Sequence, residues 1–252
     1  MSSRSNVMPP AGDRAPLAVS VARKAARTAQ GQTVEILAGL AFALRAGETA
    51  ALIGPSGCGK TTLMRILAGL DRAFEGTVSR PREARIAMAF QEPRLLPWRS
   101  VDDNVRLGAP ESTAQERATL FAALGLVEHR GHFPGELSLG LARRTSLARA
   151  LAAKPDLLLL DEPFVSLDPP LARAIRADLA RLIDDKRVSA VLVTHDVEDA
   201  LDLADVIYVL SARPARIIGE VRIESPRAVP AGRRGELAAE VERLRALSTK
   251  PT

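Results

Sequence analysis

The sequence predicts an α/β fold, and three stretches predict it. Residues 50–53 are an apolar run leading into Gly54, Pro55, Ser56, Gly57, Cys58, Gly59, Lys60 and Thr61. Residues 62–70 then carry Leu63, Ile66, Leu67 and Leu70 at helical spacing, which gives strand, glycine-rich loop and helix in succession. Farther along, Leu157, Leu158, Leu159 and Leu160 form an apolar run ending in Asp161 and Glu162. A third run, residues 190–193, ends at Thr194, His195 and Asp196. Short runs that are apolar throughout are the pattern of buried strands in a parallel sheet.

The first stretch fits G-x-x-x-x-G-K-[ST] in the strand–loop–helix setting that pattern requires. Gly54, Gly57 and Gly59 let the backbone take conformations a side chain would forbid. The loop amides then point inward, and the helix N-terminus adds partial positive charge, so phosphates settle there. Lys60 is expected to reach the β- and γ-phosphates, and the Thr61 hydroxyl to ligate Mg²⁺. The run ending at Asp161 supplies the second half of such a site, an aspartate at the end of a buried strand that orders the metal. Glu162, pointing elsewhere, can polarise a water aimed at the γ-phosphate. His195, at a strand's carboxyl end, falls on the ligand side of a parallel sheet.

Composition narrows the class. With 46% hydrophobic and 26% charged residues over 252 positions, the chain is expected to be globular, as one large domain or two modest ones. No apolar run is long enough to span a membrane. Residues 1–16 lack the apolar core of a signal peptide and are expected to be a disordered tail, so the protein is expected to stay inside the cell. A single cysteine, Cys58, excludes an internal disulfide and reads as a small filler of the glycine loop. The net charge of +5 is scattered among acidic residues and aromatics are only 3%, so nucleic acid is not expected as a partner.

The remaining elements follow in order. Residues 17–21, 34–36 and 41–44 read as short strands, and Ala46, Gly47 and Glu48 as a turn. Phe74, Glu75 and Gly76 read as a turn before a short strand at 77–78, and residues 86–90 as a strand ending at Gln91. Pro93 and Pro97 break the apolar loop that holds Leu95, Leu96 and Trp98. That loop either meets a partner or folds onto the core. Ser100 opens a short helix to Val105, and Ser112 or Thr113 caps a helix that runs to Leu124 and is stopped by Gly125. Residues 135–140 read as a loop and 141–153 as a helix ended by Pro155. Helices are expected over 170–183, 196–203 and 236–247, with paired strands at 206–210 and 216–221 around Arg213 and Pro214.

With Gln91, the 137–144 loop, Asp161, Glu162 and His195 in order behind the phosphate loop, residues 17–222 resemble an ATP-binding cassette (ABC) ATPase. The resemblance implies a P-loop fold with an antiparallel β subdomain and a helical subdomain at about 92–153, leaving 223–252 as an extension with a short amphipathic helix. It implies that ATP is held by Gly54 through Thr62, including Cys58 and Thr62. By the same resemblance Gln91 senses the Mg²⁺ and the attacking water, Asp161 orders the metal, Glu162 is the catalytic base and His195 contacts the γ-phosphate. Leu137, Ser138, Leu139, Gly140 and Leu141 occupy the place of the signature Leu-Ser-Gly-Gly-Gln, which acts across a head-to-tail dimer. Ser166, Leu167 and Asp168 are similar to the loop that crosses to the other subunit. A separate integral-membrane permease is implied, with the ATPase peripheral on the cytoplasmic face of the inner membrane and most simply a homodimer.

Two departures stand out. Leu139 replaces a glycine and Leu141 a glutamine, which leaves open a hydrolysis-impaired partner in a heterodimer. Ala29 stands near the place of an aromatic that usually stacks on adenine. The stretch from Phe90 to Trp98, with Asp103, Asn104 and Val105, is similar to nitrate, sulfonate and taurine importer ATPases, and Ser211, Ala212, Arg213 and Pro214 agree with it. That group works with a periplasmic binding protein and a permease. A soluble ABC ATPase not engaged in transport is the other class open at this point.

Overall fold

The fold is built on strands with no exposed residue. In the computed structural model, which describes residues 17–165, 167–186, 188–224 and 229–248, β3 (Thr49–Ile53), β6 (Leu157–Asp161), β7 (Ser189–Val193) and β8 (Val206–Leu210) are buried along their whole length. With β5 (Ile86–Ala89) and β9 (Ile217–Arg222) they form a six-stranded sheet in the order β5-β6-β7-β3-β8-β9. All pairings are parallel except β8 with β9. Successive residues point to opposite faces of such a sheet, and each face feeds its own core. Ala51, Ile53, Leu158 and Leu160 join one cluster with the helices, whereas Ala50, Leu52, Leu157 and Leu159 join the other.

The second core is closed by an antiparallel sheet in the order β2-β1-β4, made of β1 (Leu17–Arg27), β2 (Thr33–Leu44) and β4 (Glu75–Ser79). Helix α1 (Lys60–Leu67) packs Leu63, Met64, Ile66 and Leu67 between the two sheets. Residues 34–36 and 41–44, expected as separate strands, are one strand. Leu37 and Leu40 are fully buried, and the ladder to β1 continues through Arg23 opposite Ala38 and Val21 opposite Leu40. Gly39 is at φ 61°, and the register to β1 shifts between Lys24 and Ala25.

Helices α2 (Val101–Gly108), α3 (Ala114–Ala123) and α4 (Leu139–Ala152) form the helical layer beside β5. Thr113 caps α3 in a reciprocal capping box with Glu116. Helix α4 starts two residues earlier than the sequence predicts, because the Ser138 hydroxyl accepts from the Leu141 amide at 3.3 Å and caps it. Helices α5 (Pro169–Lys186), α6 (Val197–Leu203) and α7 (Ala231–Ser248) complete the first core. The last is longer than expected and buries Leu237 and Val241, with Leu244 against Gly219. The expected tail 1–16, Ser166, and residues 225–228 and 249–252 lie outside the described residues. Among the described residues no helix is long and apolar enough to cross a membrane.

The Pro-broken loop before α2 is ordered by one buried amide. Asn104 has no exposed surface. Its Oδ1 accepts from the Leu96 amide at 2.8 Å, and its Nδ2 donates to the carbonyls of Leu96, Arg99 and Ser100 at 3.2, 2.9 and 3.0 Å. Arg149 of α4 adds bonds to the carbonyls of Pro93 and Arg94, both at 2.9 Å. Leu95 and Leu96 are consequently half-buried while Trp98 is 69% exposed. Asn104→Ala orphans several of these backbone groups and is expected to lower the unfolding free energy by about 3 kcal/mol. Urea titration measures that loss, and faster tryptic cleavage after Arg94 and Arg99 locates it; unchanged stability would show that Arg149 alone holds the loop.

Candidate functional site

Because β3, β6, β7 and β8 run in parallel, their carboxyl ends emerge at one edge of the sheet, where open α/β sheets bind ligands. A cleft of about 250 Å³ opens there, lined by Ser56, Gly57, Gly59, Lys60, Thr61, Thr62, Gln91, Asp161, Glu162 and Arg213. The glycine loop leaves β3 at Gly54 and returns as α1. The Lys60 ammonium is folded back along the loop and donates to the carbonyls of Gly54 and Pro55 at 2.8 and 2.9 Å. Gly59, at φ 127°, is where the loop presses on β2: a Cβ there would lie 2.7 Å from Ile36 Cγ2. Only glycine meets both requirements. Cys58 is buried, and burial pushes its thiol up against the charges of Lys60 and Arg213, which pull it down. It is therefore a packed filler of the loop rather than a reactive thiolate.

The two carboxylates at the end of β6 have different surroundings. Asp161 is 2% exposed. Burial raises its pKa above the usual carboxylate range; the Thr61 hydroxyl hydrogen-bonds it and opposes the shift, the charge of Glu162 adds to it, and Lys60 opposes it. Glu162 stands at φ 49°, a left-handed conformation unusual for a side-chain-bearing residue, with its amide donating to Val193 O at 2.9 Å. That turn swings its carboxylate away from Asp161. Gln91 Nε2 approaches one Glu162 oxygen at 3.4 Å and His195 Nδ1 the other at 3.7 Å. The His195 side chain is 60% exposed. Its loop is anchored from behind by Thr194, whose hydroxyl donates to Asp199 at 2.8 Å while accepting from the Asp196 amide at 3.0 Å. Arg176 of α5 pairs with Asp199 and Asp202, and Arg234 of α7 pairs with Glu198 and Asp202.

The structure thus gathers Lys60, Thr61, Thr62, Gln91, Asp161 and Glu162 at one cleft, with His195 beside Glu162. Ser138, Leu139, Gly140 and Asp168 do not line it. Leu139 is 51% exposed on the first turn of α4, and Leu141 packs against the first core. The Asp168 carboxylate accepts from the Leu171 amide at 3.2 Å and caps α5. Arg143 of α4 donates to the carbonyl of Val165, which ties α4 to the loop after β6. Ala29 is exposed in the β1–β2 turn, and the aromatics Phe42 and Tyr208, 5.3 Å apart, are both buried. Neither takes the place of a base-stacking ring.

Sequence reasoning missed Arg213 as a site residue. It donates to the Gly57 carbonyl and lines the cleft. The signal lies in Ser211, Ala212, Arg213 and Pro214, which in the sequence read only as a turn and a family mark.

The Asp161 environment carries a stability cost with a definite sign. A carboxyl whose pKa is raised by folding stabilises the native state fully below its unfolded value of about 3.9, and that contribution is lost as pH rises through the folded value. Asp161→Asn is therefore expected to raise the thermal midpoint near neutral pH, with the gain shrinking as pH falls toward that value. Thermal unfolding across the acid range measures it, and equal destabilisation at every pH would contradict the burial account.

Comparison with known proteins agrees with this geometry. The family model described as ABC transporter matches residues 37–165. The aliphatic sulfonates import ATP-binding protein SsuB 1 of Streptomyces avermitilis is 48% identical over 83% of this chain and 80% of its own. SsuB 2 of Burkholderia cenocepacia is 38% identical over 97% of this chain and 92% of its own. The post-hydrolysis dimer of the ATP-binding cassette MJ0796 with ADP and Pi superposes with a TM-score of 0.72 over 83% of this chain and 99% of that one, at 24% identity, a likeness of fold. The matched stretch contains the glycine loop, Gln91 and both carboxylates, and the chain belongs to the ABC transporter family as an ATP-binding cassette ATPase.

Proposed function

We propose that this cassette energises uptake of an aliphatic sulfonate or a similar small solute through a separate membrane permease, working as a dimer on the cytoplasmic face. The observation that carries the reading is the gathering of Lys60, Thr61, Gln91, Asp161 and Glu162 at one cleft in a chain 48% identical to a protein named for sulfonate import. The names of these relatives support the permease, and uptake of this kind calls for a periplasmic binding protein on the far side. The catalytic unit in this reading spans residues 17–222, with its helical subdomain at about 92–153.

The donor chemistry fits Mg²⁺. Thr61 and Asp161 place a hydroxyl and a desolvated carboxyl in contact at the cleft, and a buried carboxylate gains from a nearby cation. Among the described residues no cluster of three or more His, Cys, Asp or Glu is present. The remaining ligands would therefore be phosphate and water oxygens, which Mg²⁺ prefers. When bound, the ion neutralises charge on the phosphates. The chain supplies the rest. The loop amides and Lys60 cradle the β- and γ-phosphates of ATP, with Gly54, Pro55, Ser56, Gly57, Cys58 and Gly59 shaping the loop and Thr62 beside it. Glu162, turned away from Asp161 by its own backbone, accepts a proton from the attacking water. His195 and Gln91 flank that carboxylate and orient water and γ-phosphate. Ser138 and the amides of Leu139 and Gly140 at the start of α4 present donors to the nucleotide of a second subunit, with Asp168 on the loop beside them.

Lys60→Ala is expected to weaken ATP binding at least about thirtyfold, the loss typical of a buried charge contact. Glu162→Gln is expected to keep ATP affinity within about threefold while turnover falls more than about a hundredfold. Calorimetry and phosphate release measure the two; wild-type turnover in the glutamine variant would require another base. The transport reading is tested by identifying what co-purifies with tagged protein from detergent-solubilised membranes. A multi-span permease is expected, and exclusively cytosolic or ribosomal partners would overturn it in favour of a soluble ATPase.

A further inference from the structure

The position of Arg213 is over-determined. It sits at the tip of the turn between β8 and β9. Within the turn, Ser211 N donates to Arg216 O at 2.9 Å, and the Ser211 hydroxyl accepts from the Arg216 amide at 3.0 Å while donating to Ala212 O at 2.8 Å. Beside it, Ala215 bonds β2 in both directions, to Ile36 O at 2.8 Å and from Ala38 N at 3.1 Å. On a third side, Ala212 N donates to Ser248 O at the end of α7, at 3.0 Å. The turn is therefore held by its own strands, by the antiparallel sheet and by the C-terminal helix. What it holds in place is a guanidinium against the phosphate loop: Arg213 donates to the Gly57 carbonyl and lines the cleft.

Lys60 and Arg213 are the two cationic side chains lining the cleft, against the carboxylates of Asp161 and Glu162. Lys60 is folded onto the carbonyls of Gly54 and Pro55. A polyphosphate entering here meets a site whose lining carries as many acidic as basic groups, so the second cation weighs heavily in the balance. The positive charge of Arg213 is felt inside the loop, where it opposes the burial-driven rise of the Cys58 thiol. One guanidinium has nitrogens enough to bond a loop carbonyl and a phosphate oxygen together.

We propose that Arg213 is a nucleotide-binding residue: it clamps the phosphate loop at Gly57 and lays a second positive charge against the polyphosphate of ATP. This rests on the cleft's being the ATP site, and the C-terminal helix becomes part of the support for that site.

The test compares full-length wild type, Arg213→Gln, Arg213→Lys and Lys60→Ala, with ATP titrated calorimetrically at several salt concentrations. Arg213→Gln is expected to weaken ATP binding about tenfold, as for loss of a charge-assisted contact, and to flatten the dependence of affinity on salt. Arg213→Lys, which keeps the charge and loses the planar fork, is expected to retain the wild-type salt dependence. Wild-type affinity in Arg213→Gln would overturn the proposal. Weakened binding with an unchanged salt dependence would overturn it too, because it would reduce Arg213 to a brace for the loop. Wild-type affinity in Lys60→Ala would instead show that the cleft is not the ATP site, a separate failure.

Discussion

Strand β3 is five residues long, has no exposed residue, and is bonded in parallel to β7 on one side and β8 on the other. That pairing constrains everything at the cleft. Register places Leu52 level with Val193 and with Tyr208. The glycine loop, the His195 turn and the Arg213 turn therefore leave the sheet at the same height. The pairing of Asp161 with Val193 adds the carboxylates from the next strand. Slipping any one of these strands by a single residue would exchange the side chains that feed the two cores, so the packing that stabilises the sheet also fixes the relative positions of the site residues. The chemistry is local to loops, but its geometry is set by apolar side chains in two cores.

The same edge holds costs that the core offsets. Asp161 is desolvated at the end of a fully buried strand, and Glu162 is held in a left-handed conformation. Each is unfavourable in isolation, by about 1–3 kcal/mol for the backbone of Glu162. Both have the same consequence. A regular strand would point Glu162 to the face opposite Asp161, whereas here both carboxylates line the one cleft. The turn at Glu162 sends one carboxylate to Thr61 and the other to Gln91 and His195.

Much of the fold was legible because its signals were local. The fully apolar runs at residues 50–53, 157–160 and 190–193 identified buried parallel strands, and the glycine loop with Leu63, Ile66 and Leu67 identified the helix it opens. The illegible parts depend on distant contacts. Strand β2 reads as two pieces because its continuity lies in the ladder to β1. The early start of α4 depends on which way the Ser138 hydroxyl turns. Asn104 was seen as one letter of a family resemblance, and its function as the clamp of the 95–100 loop emerges only when four of its bonds close around it. Arg213 was hidden for the same reason, since its partner Gly57 lies 156 residues away.

The two leucines of the departed signature separate once their surroundings are known. Leu141 packs against the first core, so its apolar side chain is what that position of α4 requires, and a glutamine there would face the same apolar neighbours. Leu139 is different, for it is 51% exposed and spends its side chain on solvent. Neither replacement touches the cap. Ser138 still accepts from the Leu141 amide, and the helix still presents its first amides, the groups that make a helix N-terminus attractive to phosphate, because those donors belong to the backbone. Arg143, one turn into α4, joins this N-terminus to the carbonyl of Val165 just after Glu162 and Phe164. One hydrogen bond therefore ties the first turns of α4 to the loop that follows Asp161 and Glu162, and the residues that make it are ones the two leucines leave unchanged.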